Sequence, residues 1–136
     1  MKIFIDSNLL IYLNATRSVE ARAIYENFYL NLLSENKVYT DVLVLDELLY
    51  ISKKKYNIPY DVSIEFIESI VLPYVEILPL RSEEFREASR IIKSFNIKPS
   101  DALHAAAMLM NDISRIVSED REFDKIKELE RVWINK

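Results

Sequence analysis

The chain has 136 residues, of which half are hydrophobic and 29% are charged, with a net charge of −4 and neither cysteine nor glycine. This length suits a full hydrophobic core, and we expect a single domain over residues 1–136. Without cysteine no disulfide framework or thiolate metal site can form, and without glycine a phosphate-cradling loop is disfavoured. One histidine, His104, excludes the familiar histidine-rich zinc centres.

The N-terminal segment and the hydropathy give expectations about location. A β-type pattern begins within two residues of Met1, so we expect no signal peptide. No apolar run reaches the length of a membrane span, and we expect a cytoplasmic protein. The negative charge is not the basic footprint of a typical nucleic-acid binder, although clustered acids that bind a metal would account for much of it.

Alternating β-type runs and helical patterns predict the order of elements. Strands are expected at residues 3–5, 38–39, 75–78, 115–118 and 131–134. Helices are expected at residues 7–13 (a short helix or turn), 18–35, about 41–55 with Thr40 or Asp41 as cap, from 61, from 82, 101–110 with Ser100 as cap, and 120–127. Strands separated by helices imply right-handed crossovers. We therefore expect an α/β fold, a three-layer α/β/α domain with a mainly parallel sheet of four or five short strands.

Apolar residues at helical spacing predict the buried helix faces. The predicted inward residues include Ala21, Ile24, Tyr25, Phe28 and Leu32, then Val62, Phe66, Ile67 and Ile70, and then Phe85, Ala88, Ile92 and Phe95. Tyr12 and Tyr50 are also assigned to the core, although either could stack on a base. His104 is interpreted as a packed or surface histidine.

Four acids lie at element boundaries or among apolar residues. Asp6 follows the first strand, Glu47 lies in an apolar helix, Asp101 begins a helix, and Asp120 follows a strand. Each also has an ordinary explanation: Asp6 as a turn or cap residue, Asp101 and Asp120 as favourable charges at helix starts, and Glu47 as a solvent-facing residue.

The predicted topology gives these acids a joint interpretation. Residues just after parallel strands share one edge of the sheet, where open α/β sheets bind ligands. Two carboxylates ~5 Å apart repel by roughly 3 kcal/mol at an effective dielectric constant of about 20. A divalent cation would remove that repulsion, and an all-oxygen site favours Mg²⁺ or Mn²⁺. The acids therefore predict a metal site suited to phosphoryl chemistry.

Four segments in one order carry a family resemblance. They are FIDSNLLIYL around Asp6, TDVLVLDELLYI around Glu47, KPSDALHAAAM around Asp101, and IVSEDREFDKI around Asp120. With these segments the sequence resembles the PIN domain and, within it, the VapC-type ribonuclease toxins of toxin–antitoxin pairs. The resemblance covers nearly the whole chain. It implies a parallel α/β/α fold, a pocket of acids that binds Mg²⁺ or Mn²⁺, and metal-dependent cleavage of RNA.

The resemblance also implies roles for individual residues. Asp6, Glu47, Asp101 and Asp120 fall on the acidic quartet. Metal held by the three aspartates would activate a water, Glu47 would complete the shell or receive the water's proton, and cleavage would leave a 5′-phosphate and a 3′-hydroxyl.

Further positions surround the quartet in the family pattern. Asp124 falls on a position that is often acidic, and it is expected among the metal-binding acids, acting through a water. Ser118 falls on a small hydroxyl position, while Ser7 or Asn8 would orient Asp6 or a phosphate. Where the family often has a glycine before the fourth strand, this chain lacks one, and Asn111 is expected to take the left-handed conformation instead.

The expected partners are an RNA substrate, a cognate antitoxin and a second copy of the chain. The helices at residues 18–35 and 62–71 expose apolar residues that suit either a dimer face or a groove for an antitoxin segment. Lys53, Lys54 and Lys55 could steer RNA, although a solvated helix end explains them as well.

Two other functions stay open from the sequence. One is a PIN-like module that binds RNA or protein without cutting, which the intact quartet disfavours. The other is a different Mg²⁺-dependent protein, a receiver domain or a phosphatase. A phosphatase of the haloacid type would need Asp-x-Asp after the first strand, where this chain has Asp6-Ser7-Asn8.

Overall fold

The computed structural model describes residues 1–134, in which helices alternate with five parallel strands. The strands are β1 (Lys2–Ile5), β2 (Lys37–Asp41), β3 (Glu76–Leu78), β4 (Arg115–Val117) and β5 (Glu130–Val132). The helices are α1 (Ser7–Ala15), α2 (Val19–Glu35), α3 (Val42–Tyr56), α4 (Tyr60–Phe66), α5 (Ser82–Phe95) and α6 (Pro99–Leu109). A π-helical turn, Ile67–Val71, continues α4, and a 3₁₀ turn, Arg121–Lys125, precedes β5. None of the helices within residues 1–134 combines the length and apolar character needed to cross a bilayer.

The sheet has the order β3-β2-β1-β4-β5, and each neighbouring pair is parallel. β1 is central, and its consecutive residues Ile3, Phe4 and Ile5 are fully buried. Because consecutive strand residues point to opposite faces, both faces of the sheet are covered. The predicted parallel α/β fold is confirmed.

The crossovers place the helices in two layers. From β1 the chain moves outward to β2 and β3, through α1–α2 and then α3–α4, and it returns past β1 to β4 through α5–α6. Right-handed crossovers in opposite directions lie on opposite faces of a sheet. Contacts agree with this, since α1 packs on α2 and α3, α3 packs on α4, and α5 packs on α6. The direction reverses between β1 and β4, and their carboxyl ends form the crevice of the fold.

Several element boundaries differ from the prediction. α6 begins at Pro99, which suits the first helical position, and Ser100 lies inside the first turn rather than capping it. The expected helix at 120–127 is a short 3₁₀ turn with Asp120 as its N-cap. β5 lies one residue earlier than the expected strand 131–134 and ends at Val132.

The buried face of α5 matches the prediction at Ala88, with Ile92 and Phe95 partly buried against the core, but it differs at Phe85. Phe85 is 61% exposed, whereas Glu84, Ala88 and Ile91 are buried. The guanidinium of Arg81 pairs with Glu84 at 2.7 Å, so this helix buries a paired acid beside its aliphatic residues. An apolar stripe alone could not show this, because it counts Glu84 as a surface residue.

Other residues assigned to the core are exposed on the outer helices. These are Ile24 of α2, Tyr50 of α3, Val62 of α4 and Ile70 of the π-helical turn. α2 and α4 pack on α1 and α3, so they lie at the margin of their layer and leave apolar side chains uncovered. Tyr12, by contrast, is partly buried, and its ring stacks on Tyr25 with the centroids 4.8 Å apart.

Asparagine and aspartate take the backbone positions that glycine commonly occupies. Asn57 and Asn96 end α3 and α5 with φ of 59° and 53°, and Asp112 has φ of 59°. The expected left-handed residue was Asn111, but its side chain bonds back to the carbonyl of Ala107, and the left-handed turn comes one residue later. Short polar side chains tolerate this region better than other non-glycine residues do.

Substitution of Asn57 tests the cost of this conformation. Asn57→Gly should keep or slightly raise the free energy of unfolding, since glycine has no Cβ penalty at a left-handed helix end. Asn57→Val should lower it by roughly 1–2 kcal/mol. Urea denaturation of both variants measures the difference, and equal stabilities would contradict the argument.

Candidate active site

Asp6 lies at the carboxyl end of β1 and is 5% exposed. Its Oδ1 accepts a hydrogen bond from the Ser7 backbone N–H at 2.8 Å, and its Oδ2 accepts one from Ser118 Oγ at 2.7 Å. Asp6 is therefore the N-cap of α1 and also an acid in the crevice, so one residue has both roles.

Ser118 and Asn8 connect the end of β4 to the start of α1. Ser118 Oγ accepts a hydrogen bond from the Asp120 backbone N–H at 3.0 Å, and it lies 3.1 Å from Asn8 Oδ1. The same Asn8 oxygen accepts the backbone N–H of Glu119 at 3.1 Å. These contacts fix the loop that carries Asp120 against the residue that carries Asp6.

Glu47 is turned toward the crevice by its position in α3. It is partly buried and accepts a hydrogen bond from Ser7 Oγ, whereas its neighbour Asp46 is exposed. The structure thus brings Glu47 beside Asp6, through Ser7.

Asp101 and Asp120 face one another across a lysine. Lys98 Nζ lies 3.9 Å from Asp101 Oδ2 and 3.9 Å from Asp120 Oδ2. Asp101 is 4% exposed, and among the described residues 1–134 its buried Oδ2 has no hydrogen-bond partner. A buried carboxylate oxygen without a partner is costly, so this atom is poised to accept a cation or a proton.

Electrostatics couple these acids. Burial raises the pKa of Asp101 to about 7; Lys98 opposes the rise, while Asp120 and Asp6 add to it. Burial also raises the pKa of Asp6, against His104 and the hydrogen bonds from Ser118 and Ser7, which favour the carboxylate.

The donor set is made of carboxylate oxygens, which suit a hard divalent cation. Within residues 1–134, no three acidic or histidine side chains already lie close enough together to hold an ion. The acids therefore share a crevice and interact electrostatically, but they do not form a closed coordination cage.

Comparison with known proteins agrees with the fold. The PIN domain profile matches residues 3–129. The chain belongs to the PIN domain family. Ribonuclease VapC2 of Methanocaldococcus jannaschii is 32% identical, with 98% of this chain and 94% of that protein covered.

Two solved structures show the same PIN fold. VapBC2 from Rickettsia felis, bound to a DNA fragment from its promoter, superposes with a TM-score of 0.74 at 20% identity, covering 98% of both chains. A toxin–antitoxin complex from Klebsiella pneumoniae gives a TM-score of 0.69 at 15% identity, covering 94% of this chain and 95% of that one.

Asp124, the fifth acid expected near the site, pairs with Arg131. Its two carboxylate oxygens face Arg131, with Oδ1 3.0 Å from Nε and Oδ2 3.3 Å from a terminal nitrogen. Arg131 also donates to the Ser118 carbonyl at 3.1 Å. In this arrangement Asp124 supports the loop after β4 through Arg131, because that pairing engages both of its oxygens.

A buried pair of Asp41 and His104 was not anticipated from the sequence. His104 Nδ1 lies 2.7 Å from Asp41 Oδ2, and its Nε2 lies 3.9 Å from Asp6 Oδ1. Asp41 is also the N-cap of α3 and accepts the Val44 N–H at 3.0 Å. Burial opposes the charged imidazole, but Asp41, Asp6 and Asp101 together raise the pKa of His104 above its ordinary value.

This pair joins the elements that carry the acids. His104 lies one turn after Asp101 in α6, and Asp41 begins the helix that carries Glu47. The sequence contained one signal, an acid at a helix start together with the only histidine, but only the fold brings residues 63 positions apart into contact.

A double-mutant cycle tests the pair. Asp41→Ala and His104→Ala should each lower the free energy of unfolding by roughly 3–5 kcal/mol, since each leaves a buried polar partner uncompensated. The double variant should lose less than the sum by about 2 kcal/mol. The exposed pair Lys37–Glu76, 3.6 Å apart, is the matched control and should couple by less than about 1 kcal/mol. Additivity at both pairs would contradict the argument.

The pH dependence of stability tests the burial of Asp101. With a pKa of about 7 in the folded protein, raised from 3.8, Asp101 contributes stability that is fully present below pH 3.8 and is lost as the pH rises through 7. In metal-free buffer, Asp101→Asn should therefore be more stable than the parent at pH 8, by on the order of 1 kcal/mol after solvent screening. The difference should shrink toward pH 5.

Thermal unfolding between pH 5 and 8 measures this, with Asp46→Asn as the control because Asp46 is exposed on α3. Parallel profiles of the parent and Asp101→Asn would show that Asp101 does not titrate as described.

Proposed function

We propose that this PIN domain is a metal-dependent endoribonuclease that hydrolyses RNA phosphodiester bonds as the toxin of a toxin–antitoxin pair. The observation that carries the proposal is the gathering of Asp6, Glu47, Asp101 and Asp120 at the carboxyl ends of β1 and β4, where within residues 1–134 one buried oxygen of Asp101 has no hydrogen-bond partner. The relative that shares 32% identity is named a ribonuclease, which supports RNA as the substrate.

Asp6, Asp101, Asp120 and Glu47 would hold Mg²⁺ or Mn²⁺ in this crevice. The raised pKa of Asp101 supports this, since burial and, to a smaller extent, repulsion from Asp120 and Asp6 both disfavour the carboxylate, and a divalent cation would favour it. Lys98, 3.9 Å from two of the acids, already supplies one positive charge there. When bound, a divalent cation would offset the charge on the phosphate and lower the pKa of a water.

The residues around the acids would position the reactants. Ser7 fixes the Glu47 carboxylate, which would accept the proton of the attacking water. Lys98 is 58% exposed at its side chain and would turn from the acids to the phosphate when the acids are neutralised. Attack in line with the 3′ oxygen would leave a 5′-phosphate and a 3′-hydroxyl.

A protein partner would cover the apolar groove between α2, α4 and the π-helical turn. The groove has a volume of about 710 Å³ and is lined in part by Leu30, Leu33, Phe66, Ile70 and Tyr74. A cavity of this kind suits an apolar helical segment of an antitoxin. The toxin–antitoxin complex from Klebsiella pneumoniae supports such a partner. The product of a neighbouring reading frame, co-purified with this chain, would identify it.

The chain would also form a homodimer and act in the cytoplasm. Exposed apolar residues outside the groove, among them Val62 and Ile64 of α4, offer a surface for a second copy. Light scattering of the purified chain measures its oligomeric state, and a fluorescent fusion shows its location.

Substitution of two acids tests the proposed activity. Asp6→Asn and Asp101→Asn should each lower Mn²⁺- or Mg²⁺-dependent cleavage of single-stranded RNA by more than about 100-fold. Loss of a residue that only hydrogen-bonds to a metal ligand typically costs about 10–100-fold, and loss of a ligand itself should cost more. Both variants should weaken Mn²⁺ binding in calorimetry and keep the circular dichroism of the parent. Asp46→Asn is the matched control, an exposed acid beside Glu47, and should keep both activities.

Residual cleavage that is equal in the parent and both variants would indicate a contaminating nuclease and overturn the assignment. A parent chain that binds RNA but leaves it uncut with either metal would instead show a non-catalytic binding module.

A further inference from the structure

A small cavity opens beside the proposed catalytic acid. It lies between α1 and α3, has a volume of about 220 Å³, and begins at Ser7 and Glu47. Its far end is lined by Tyr12 of α1 and by Lys55 and Tyr56 at the end of α3. The cavity therefore adjoins Glu47, and its tyrosine and lysine side chains have no role in the proposed hydrolysis.

The volume limits what the cavity holds. At about 30 Å³ per water it has room for roughly seven waters. It is smaller than the roughly 300–1,000 Å³ typical of sites for drug-sized ligands. A single planar ring system fits this limit, whereas a helix or a strand with its side chains does not.

The wall is aromatic and ordered. The Tyr12 ring stacks on Tyr25 at 25° between planes, and its hydroxyl donates to Glu119 at 2.6 Å. Ile51 adds an aliphatic surface between Glu47 and Tyr56. Aromatic walls bind nucleobases of any sequence by stacking, and a ring held in place loses little entropy on binding.

The charge at the far end suits a phosphate. Among the three lysines that end α3, Lys53 lies over the Tyr60 ring at 5.6 Å and Lys54 over the Tyr50 ring at 5.3 Å. Lys55 instead lines the cavity. One lysine of this run is thus directed to the cavity, where it would pair with the backbone of a bound strand.

A second cavity on the other side of Glu47 differs in the charge of the residues that line it. It has a volume of about 310 Å³ and is lined by Asp46, Tyr50, Ser100 and His104 among others. It contains an exposed acid and no lysine, which disfavours a phosphate. The charges therefore favour the cavity between α1 and α3 as the site for a nucleotide.

We propose that the cavity between α1 and α3 is a nucleobase subsite, in which Tyr12 and Tyr56 stack on the base of a single-stranded RNA nucleotide next to the scissile phosphate and Lys55 pairs with the adjoining phosphate. The inference rests on the proposed function, since it deepens the description of the same site. The subsite would place the strand relative to Glu47.

The test uses the full chain with Asp101→Asn, so that RNA stays intact, and a short single-stranded RNA that contains 2-aminopurine. Tyr56→Leu should weaken binding about 10-fold, as expected for the loss of one stacked base, and abolish the fluorescence quenching of the probe. Tyr56→Phe should keep both. Lys55→Gln should weaken binding and reduce its salt dependence.

Matched controls come from the same helix. Tyr50→Leu and Lys54→Gln remove an exposed tyrosine and lysine outside the cavity and should change binding by less than about twofold. Equal losses at Tyr50 and Tyr56, or no loss at Tyr56 and Lys55, would overturn the subsite. If Tyr56→Leu leaves RNA binding unchanged but loses a protein that co-purifies with the parent chain, the cavity binds a protein partner, and the proposed nucleobase subsite is also overturned.

The subsite and the proposed function fail separately. If the parent chain cleaves RNA while binding ignores Tyr56 and Lys55, the function stands and the subsite is wrong. If the parent cleaves no RNA but its binding of the probe still depends on Tyr56, the subsite stands and the proposed ribonuclease activity is wrong.

Discussion

The burial of like charges at the carboxyl ends of β1 and β4 is the constraint on which the rest of the site depends. Carboxylates in a low-dielectric crevice repel and resist ionisation unless donors or cations compensate them. The chain places several such groups around Asp6 and Asp101: two hydrogen bonds to Asp6, the imidazole of His104, and the ammonium of Lys98. The compensation is incomplete, because within residues 1–134 the Oδ2 of Asp101 has no hydrogen-bond partner, and its only close cation is the ammonium of Lys98, 3.9 Å away. The deficit is what a divalent cation would relieve.

The topology explains why this crevice exists. The strand order reverses at β1, so the loops after β1 and β4 separate toward opposite layers and leave their carboxyl ends open. Two hydrogen bonds close the base of this opening: Ser118 Oγ donates to Asp6, and the Glu119 backbone N–H donates to Asn8. These polar contacts are directional, so they fix the loop after β4 relative to the start of α1 more specifically than apolar packing alone would.

α3 unites the separate parts of the site. Its N-cap, Asp41, pairs with His104 of α6; its second turn carries Glu47; and its last turn carries Lys55 and Tyr56. A shift of this helix would move the acid and the cavity together. The buried pair at its start thus fixes both the chemistry and the surface that would receive the substrate strand.

The sequence by itself determined the order of the elements and the parallel α/β class, and it singled out four candidate acids, because hydrophobic periodicity and element boundaries are local properties. It left open whether Glu47 faces inward or toward solvent, and the structure decided this by pairing Glu47 with Ser7. The tertiary structure decided what depends on contacts between distant residues: the pairing of Asp41 with His104, the lysine between Asp101 and Asp120, and the engagement of Asp124 by Arg131. It also decided which apolar side chains stay exposed, because Phe85 and Tyr50 satisfy a helical pattern yet lie where no neighbouring element covers them. Burial depends on how the layers pack together, so a local sequence pattern cannot predict it fully.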